Sequence, residues 1–194
     1  MNFLKGCQMK QLQMKLENPT RMEELKPEDT LRRIGLQENH VLSDIGAGSG
    51  IFAIPAAKIT SNTVYALDIN EDMLSLINDK AKREGITNIE TVKVENEHFN
   101  LDSHTVDIAI LVTVFNEIDN KSLFLSEVKR ILNGDGKIAV IEFHKRNTPM
   151  GPRFEHRLGK GDLIKCFEDI EFVPYREFDL GENFYCLVFA KCCC

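Results

Sequence analysis

A chain of 194 residues is long enough for one domain with a sizeable buried core, and 43% hydrophobic with 28% charged residues is the balance of an ordinary soluble globular protein. The net charge of −6 argues against a general binder of nucleic acid or of anionic membranes. The longest apolar run, 108–115, falls far short of the roughly 20 residues that span a bilayer, and Lys5, Lys10 and Lys15 interrupt any signal-peptide pattern. The expected location is the cytoplasm, with no membrane span and no nucleic-acid partner.

The six cysteines, Cys7, Cys166, Cys186, Cys192, Cys193 and Cys194, contain no C-x-x-C pair. Two readings are open. They are reduced thiols, with Cys166 and Cys186 serving as small apolar residues, or the terminal three form a thiolate cluster for a soft metal or metalloid. The reading without a metal site is preferred, because no histidine joins the terminal run.

Residues 1–17 are rich in helix formers with loose periodicity, which predicts an amphipathic N-terminal helix broken by Asn18-Pro19. Pro27 opens a second short helix, with Glu28 and Asp29 in its first turn and Gly35 at its stop. This helical segment, 1–36, either closes over a ligand site as a lid or packs at a sheet edge.

The stretch VLSDIGAGSG, residues 41–50, reads as a buried strand ending in a sharp turn, with 51–59 as the helix that leaves it. Glycine takes positive φ freely and has no Cβ, so a ligand can approach this turn closely, facing the amides of the helix N-terminus. A dinucleotide fingerprint would need its third glycine at position 51, where Ile51 stands. The pattern is instead Asp44, Gly46, Gly48, Gly50; an acid at the strand end would repel a pyrophosphate but suits a ligand with a positive end. The next strand, 63–69 (TVYALDI), carries Asp68 eighteen residues past Gly50, where open α/β folds place an acid on a ribose diol. A carboxylate suits that task because its two oxygens accept from both hydroxyls at once. Asp68 could also cap the helix that begins near Glu71.

Together VLSDIGAGSG and VYALDI resemble the class I S-adenosylmethionine-dependent methyltransferases, whose cofactor carries an ammonium and a sulfonium and no phosphate. The resemblance implies a Rossmann-like α/β fold: a doubly wound, mostly parallel seven-stranded sheet closed by an antiparallel C-terminal hairpin. It implies cofactor contacts from Asp44, Gly46, Ala47, Gly48 and Gly50, from Asp68, and from Val112. Ile69 would give the adenine an apolar face, and Glu95 and Asn96 would bind its edge.

Further along, 71–83 has Met73, Leu74, Ile77 and Ala81 at helical spacing and stops at Gly85. Residues 88–94 form a third strand, and the nearly unbroken apolar run 106–114 reads as a central strand buried on both faces. Phe115-Asn116-Glu117-Ile118 follows at its carboxyl end, Asn116 standing where related families often carry histidine. A helix over 121–132 and the turn Asn133-Gly134-Asp135-Gly136 lead to a fifth strand, 137–143. After a helix over 162–168, strands 171–179 and 183–191 make a hairpin through Leu180-Gly181-Glu182. The resulting division is a single domain with a helical lid (1–36), a Rossmann-like core (37–191) and a cysteine tail (192–194).

Residues 144–160, HKRNTPMGPRFEHRLGK, resist assignment because Pro149, Gly151, Pro152 and Gly159 keep them open. Five Lys or Arg against Glu155 alone make the segment +4, and its place at the carboxyl edge of the sheet suits it to close over a substrate. Through DIGAGSG, VYALDI and IEFHKRNTPMGP the chain resembles the ubiquinone/menaquinone-biosynthesis C-methyltransferase type, over about residues 31–191. Methyl transfer needs a general base only when the acceptor loses a proton. His144, at a strand end, is the expected base, with His156 second; Arg153 and Arg157 are the expected holders of an anionic substrate. The expected function is methyl transfer from S-adenosylmethionine to a small-molecule acceptor, by a monomer or homodimer. The alternatives are an arsenite or metalloid methyltransferase, and a non-catalytic cofactor-binding or thiol-based metal-sensing protein.

Overall fold

The computed structural model describes residues 2–95 and 98–192, with side chains from residue 9 onward. Its centre is one seven-stranded sheet, and the strands pair in the order β3-β2-β1-β4-β5-β7-β6. The strands are β1 (Leu42–Ile45), β2 (Val64–Asp68), β3 (Ile89–Lys93), β4 (Val106–Val112), β5 (Leu132–Phe143), β6 (Phe172–Leu180) and β7 (Phe184–Lys191). The first five run parallel, and β7 inserts antiparallel between β5 and β6. The doubly wound sheet with a closing antiparallel hairpin is thus the fold that the sequence leads one to expect. Order reverses between β1 and β4, which makes the carboxyl ends of those two strands the place where such a sheet opens a crevice.

Among the described residues, seven helices flank the sheet: α1 (Asn2–Leu16), α2 (Pro19–Leu25), α3 (Pro27–Ile34), α4 (Ala53–Ile59), α5 (Glu71–Glu84), α6 (Lys121–Ile131) and α7 (Lys160–Glu168). Alternate residues of the central strands feed two separate cores. Ala139, Ile141, Phe184, Cys186 and Val188 face α3 and α4, whereas Ile138, Val140, Tyr185, Leu187 and Phe189 face α6 and α7. The second core is the aromatic one, with Phe167 stacked on Phe189 at 4.2 Å between ring centroids.

Two local readings change. Pro19 does not merely break the first helix; it opens α2, capped by the Asn18 side chain, which accepts from the amides of Thr20 and Arg21. Asn133-Gly134-Asp135-Gly136 is not a turn ahead of the strand. Leu132 already pairs with Val106 and Lys137 with Ile108, so the four residues bulge from within β5. The hairpin is tied to the N-terminal helices by Glu24, whose carboxylate accepts from the Asn183 amide (3.0 Å) and the Asn183 side chain (2.7 Å).

Candidate functional site

Building from β1 outward, the chain turns sharply where β1 ends, with φ of +74° at Gly46 and +52° at Gly48. Those angles fall in the left-handed region that side chains disfavour. The loop amides are not left free for a ligand. Gly46 and Ala47 donate to the Leu67 carbonyl, and Gly48 donates to Asp68 Oδ2 at 2.8 Å. The glycines therefore provide close approach, not an amide cradle, and an anion receives no welcome there. Gly50 lies behind this surface, its Cα facing Ile77 and Ile54 of the core.

Asp44 sits at the base of the turn, 2% exposed, with Oδ2 lacking any protein partner and the Ala53 amide bonded to its carboxyl. Burial pushes its pKa up to about 7, against the pull of that amide, and the Asp68 charge adds to the rise. Asp68 is only part-buried. Its Oδ1 accepts from the Asn70 amide (2.8 Å), and the capping of α5 falls instead to Asn70, whose side chain accepts from Asp72. Ile69 beside it is 76% exposed, an apolar side chain with nothing over it.

These residues form one end of a cavity of about 890 Å³ along the carboxyl edge of β1, β2, β4 and β5. Gly46, Gly48, Asp68, Ile69 and Val112 line it; Asp44 and Ala47 line a small adjoining recess under the same loop. Leu12, Lys15 and Leu16 of α1 form its upper side, and α1 is held down by Glu17, which accepts from Lys80 at 2.5 Å. Glu95 is not part of this wall: its exposed carboxylate pairs with Lys93 at 3.2 Å, and Val94 and Phe99 line the cavity in its place. Asn96 lies outside the described residues.

The other end of the cavity is built from residues the sequence did not single out as site residues. Arg21 of α2 is buried, donates from Nη2 to Thr113 Oγ1 at 3.1 Å, and lies over Phe184 at 5.2 Å. Its Nε has no protein partner. Glu142, the penultimate residue of β5, is 4% exposed and leaves Oε1 without a partner. Burial raises its pKa to about 7, although the amides of Asn116, Phe143 and Phe115 favour the charged form. The amides of Phe115 and Asn116 come from a 3₁₀ turn, Phe115–Glu117, entered through Thr113, a non-glycine residue at φ +56°. A buried carboxyl after an apolar strand was the available signal: Glu142 interrupts KIAVIEF where only apolar residues are expected.

Residues 144–157 strap this end. Arg157 is the knot of the strap: its guanidinium donates to the carbonyls of Pro152, His144, Arg146 and Met150 and to Thr148 Oγ1. With that many internal partners, Arg157 holds chain rather than substrate, although it lines the cavity. Arg153 is exposed and absent from the lining. His144 is likewise absent; its ring is buried against Tyr185 (5.5 Å between centroids), with Nε2 at 3.3 Å from Asp179 Oδ1. Burial holds its pKa below the ordinary histidine range. His156 does line the cavity, and its carbonyl accepts from the Asn116 side chain, fastening the strap to the 3₁₀ turn.

A methyltransferase domain family model matches residues 43–140, half of the chain, from β1 into β5. The chain belongs to the methyltransferase domain family. Two curated relatives, both named ubiquinone/menaquinone biosynthesis C-methyltransferase UbiE, are similar over more than half of it. That of Hydrogenovibrio crunogenus is 29% identical over 119 residues, 60% of this chain and 47% of the relative. That of Haemophilus ducreyi is 28% identical over 114 residues, 57% and 44%. The chain thus spans about half the length of the curated relatives it matches. Among solved structures, a SAM-dependent methyltransferase from Aquifex aeolicus superposes with a TM-score of 0.88 at 26% identity, covering 95% of this chain and 98% of that one. Family and fold are those of a class I S-adenosylmethionine-dependent methyltransferase.

The residues fit that cofactor. An uncharged, open glycine turn, a partnerless Asp44 oxygen below it and Asp68 above it make a surface for a cationic ligand without phosphate, and exposed Ile69 offers the apolar face. No helix of the described residues is long and apolar enough to cross a membrane, and they contain no group of three His, Cys, Asp or Glu able to hold a metal. Cys186 is buried in β7 with its thiol pushed far up by burial; Cys193 and Cys194 lie outside the described residues.

Proposed function

We propose that this methyltransferase acts on a small-molecule acceptor held at the Arg21–Glu142 end of the cavity, with S-adenosylmethionine at the glycine end. The observation that carries the reading is the continuity of one cavity from Asp68 and Gly48 to Glu142 and Arg21. When bound, the cofactor supplies an electrophilic methyl group on a sulfonium. The chain's own residues do the rest: Asp68 and Asp44 favour the cationic ligand, Ile69 and Val112 shield it, and the α1–α3 segment (1–36) covers the site as a lid over the core (37–191). The cavity wall is mainly apolar, which excludes water and holds the two reactants together.

A macromolecular acceptor is disfavoured by the net charge of −6 and by the covered cavity. A cytoplasmic monomer or homodimer acting on a small molecule is the consistent assignment. Quinone-type acceptors enter as the first candidates through the similarity to the UbiE proteins. Calorimetric titration with S-adenosylmethionine, its demethylated product and NAD is the test. Micromolar binding of the first two and none of NAD supports the reading, and the reverse order defeats it. A panel of quinols, phenols, thiols and arsenite then identifies the acceptor and separates the metalloid alternative.

A further inference from the structure

The cavity floor contains two buried ionisable groups, each with a polar atom that no described residue partners. Glu142 keeps Oε1 without a partner, Arg21 keeps Nε without one, and both line the same cavity. An unpaired charge in such a place is costly, and pairing or proton exchange with a ligand is what relieves it. No ion pair joins the two directly among the described residues, although Arg21 feels the Glu142 charge. They come from distant parts of the sequence, Arg21 from α2 and Glu142 from the tip of β5, and Thr113 fixes the arginine at the end of β4.

We infer that Glu142 is the group that takes the acceptor's proton, and that Arg21 holds the oxyanion so formed. In this step the acceptor's O–H bond breaks, the proton joins Glu142 Oε1, and the electron pair stays on the oxygen facing Arg21. Charge is conserved: the carboxylate becomes neutral as the acceptor becomes anionic. The acceptor class is therefore one with an acidic hydroxyl, a phenol or an enol, whose anion is the methyl-accepting form. His144, the residue expected for such work, is not placed for it, since it faces Asp179 and Tyr185, and His156 lines the cavity only from the strap.

The electrostatic surroundings suit a carboxyl that exchanges a proton near neutrality. Arg21 faces Glu142 from α2, Glu117 from the 3₁₀ turn after β4, and Tyr185 from the neighbouring β7; His156 and Arg157 line the cavity from the strap. The amides of Phe115 and Asn116 fix the carboxyl in place without bonding Oε1.

This inference rests on the proposed methyltransferase site, and its test is separable from that reading. The probe is 4-nitrophenolate, titrated at pH 8 into the full chain without cofactor, in two buffers of different ionisation enthalpy. The wild type should bind the phenolate with uptake of close to one proton, Glu142→Gln with none, and Glu142→Asp should keep most of the uptake. Arg21→Gln should weaken phenolate binding about tenfold or more in either background. Equal proton uptake by wild type and Glu142→Gln overturns the assignment, as does a wild type that binds S-adenosylmethionine but not the probe. Failure to bind S-adenosylmethionine at all, with the phenolate result intact, would instead remove the proposed function and leave the proton-exchanging pair standing.

Discussion

The two ends of the cavity are made in different ways. At the glycine end, the contacts are local and mostly main-chain: Gly46, Ala47 and Gly48 are fastened to Leu67 and Asp68 of the adjoining strand, so loop and carboxylate form one rigid unit. At the Arg21–Glu142 end, Arg21, Thr113 and Glu142 are single side chains from α2, the turn after β4 and β5, held by helix packing and by the strap around Arg157. The first design suits a ligand that is always the same, because its geometry is set by backbone. The second can be retuned one side chain at a time without disturbing the backbone.

Breaking the rigid end should have the largest effect. Gly48→Val puts a branched side chain at φ +52°, where the new Cβ lies 2.9 Å from Leu16 Cδ1. S-adenosylmethionine affinity should fall about 100-fold or more, read by calorimetry, because strain and blocked approach act together. Unchanged binding would mean that the cofactor does not lie against this turn.

The acceptor end should reveal itself through pH. Folded Glu142 titrates at about 7 against an ordinary value of 4.5, so between those pH values the folded state keeps a proton that the unfolded chain has lost. Stability should therefore decline as pH rises through that window, by on the order of 3 kcal/mol for this group. Glu142→Gln removes the contribution. Its Tm should exceed that of the wild type at pH 8 and approach it at pH 5; parallel Tm curves would show that Glu142 is ionised throughout.

Between the two ends, Asp68→Ala should weaken S-adenosylmethionine binding by about 1–3 kcal/mol in a folded protein, since the Gly48 amide loses its partner along with the ligand's. A smaller loss, about 1–2 kcal/mol in stability, is expected for Glu24→Gln, which loosens the tie between α2 and Asn183. Phenolate binding should weaken with it, because Arg21 rides on the same helix, while cofactor affinity should not. His144→Ala should do least to the site. A modest fall in Tm with cofactor affinity unchanged within about 0.5 kcal/mol is expected of a residue packed behind the wall; a large loss of turnover would return His144 to the mechanism.

Much of this was legible in the chain itself. The order of elements, the parallel sheet and the closing hairpin follow from hydrophobic periodicity and from Gly and Pro punctuation, which act over a few residues. The glycine turn and Asp68 were legible for the same reason: both lie at strand ends whose positions the local pattern fixes. The boundaries around α2 and the β5 bulge were not, because Pro19 both ends one helix and starts another, and only pairing with Val106 shows that Leu132 is already strand. Glu95 was placed by its sequence position after β3, yet Lys93, two residues before it on the exposed edge of the sheet, draws it outward.

The sequence by itself therefore determined the fold class and the glycine end of the cavity, whose residues are close in sequence or sit at strand termini. Only tertiary structure decided the Arg21–Glu142 end. Arg21 and Glu142 are 121 positions apart, and the one local sign, Glu142 interrupting KIAVIEF, does not say what the carboxyl faces. Packing α2 over Phe184 and tying it to Asn183 brings the guanidinium to the cavity. The turn after β4 then buries the Glu142 carboxyl, and its unusual protonation is a property of that burial, which no local pattern of residues encodes.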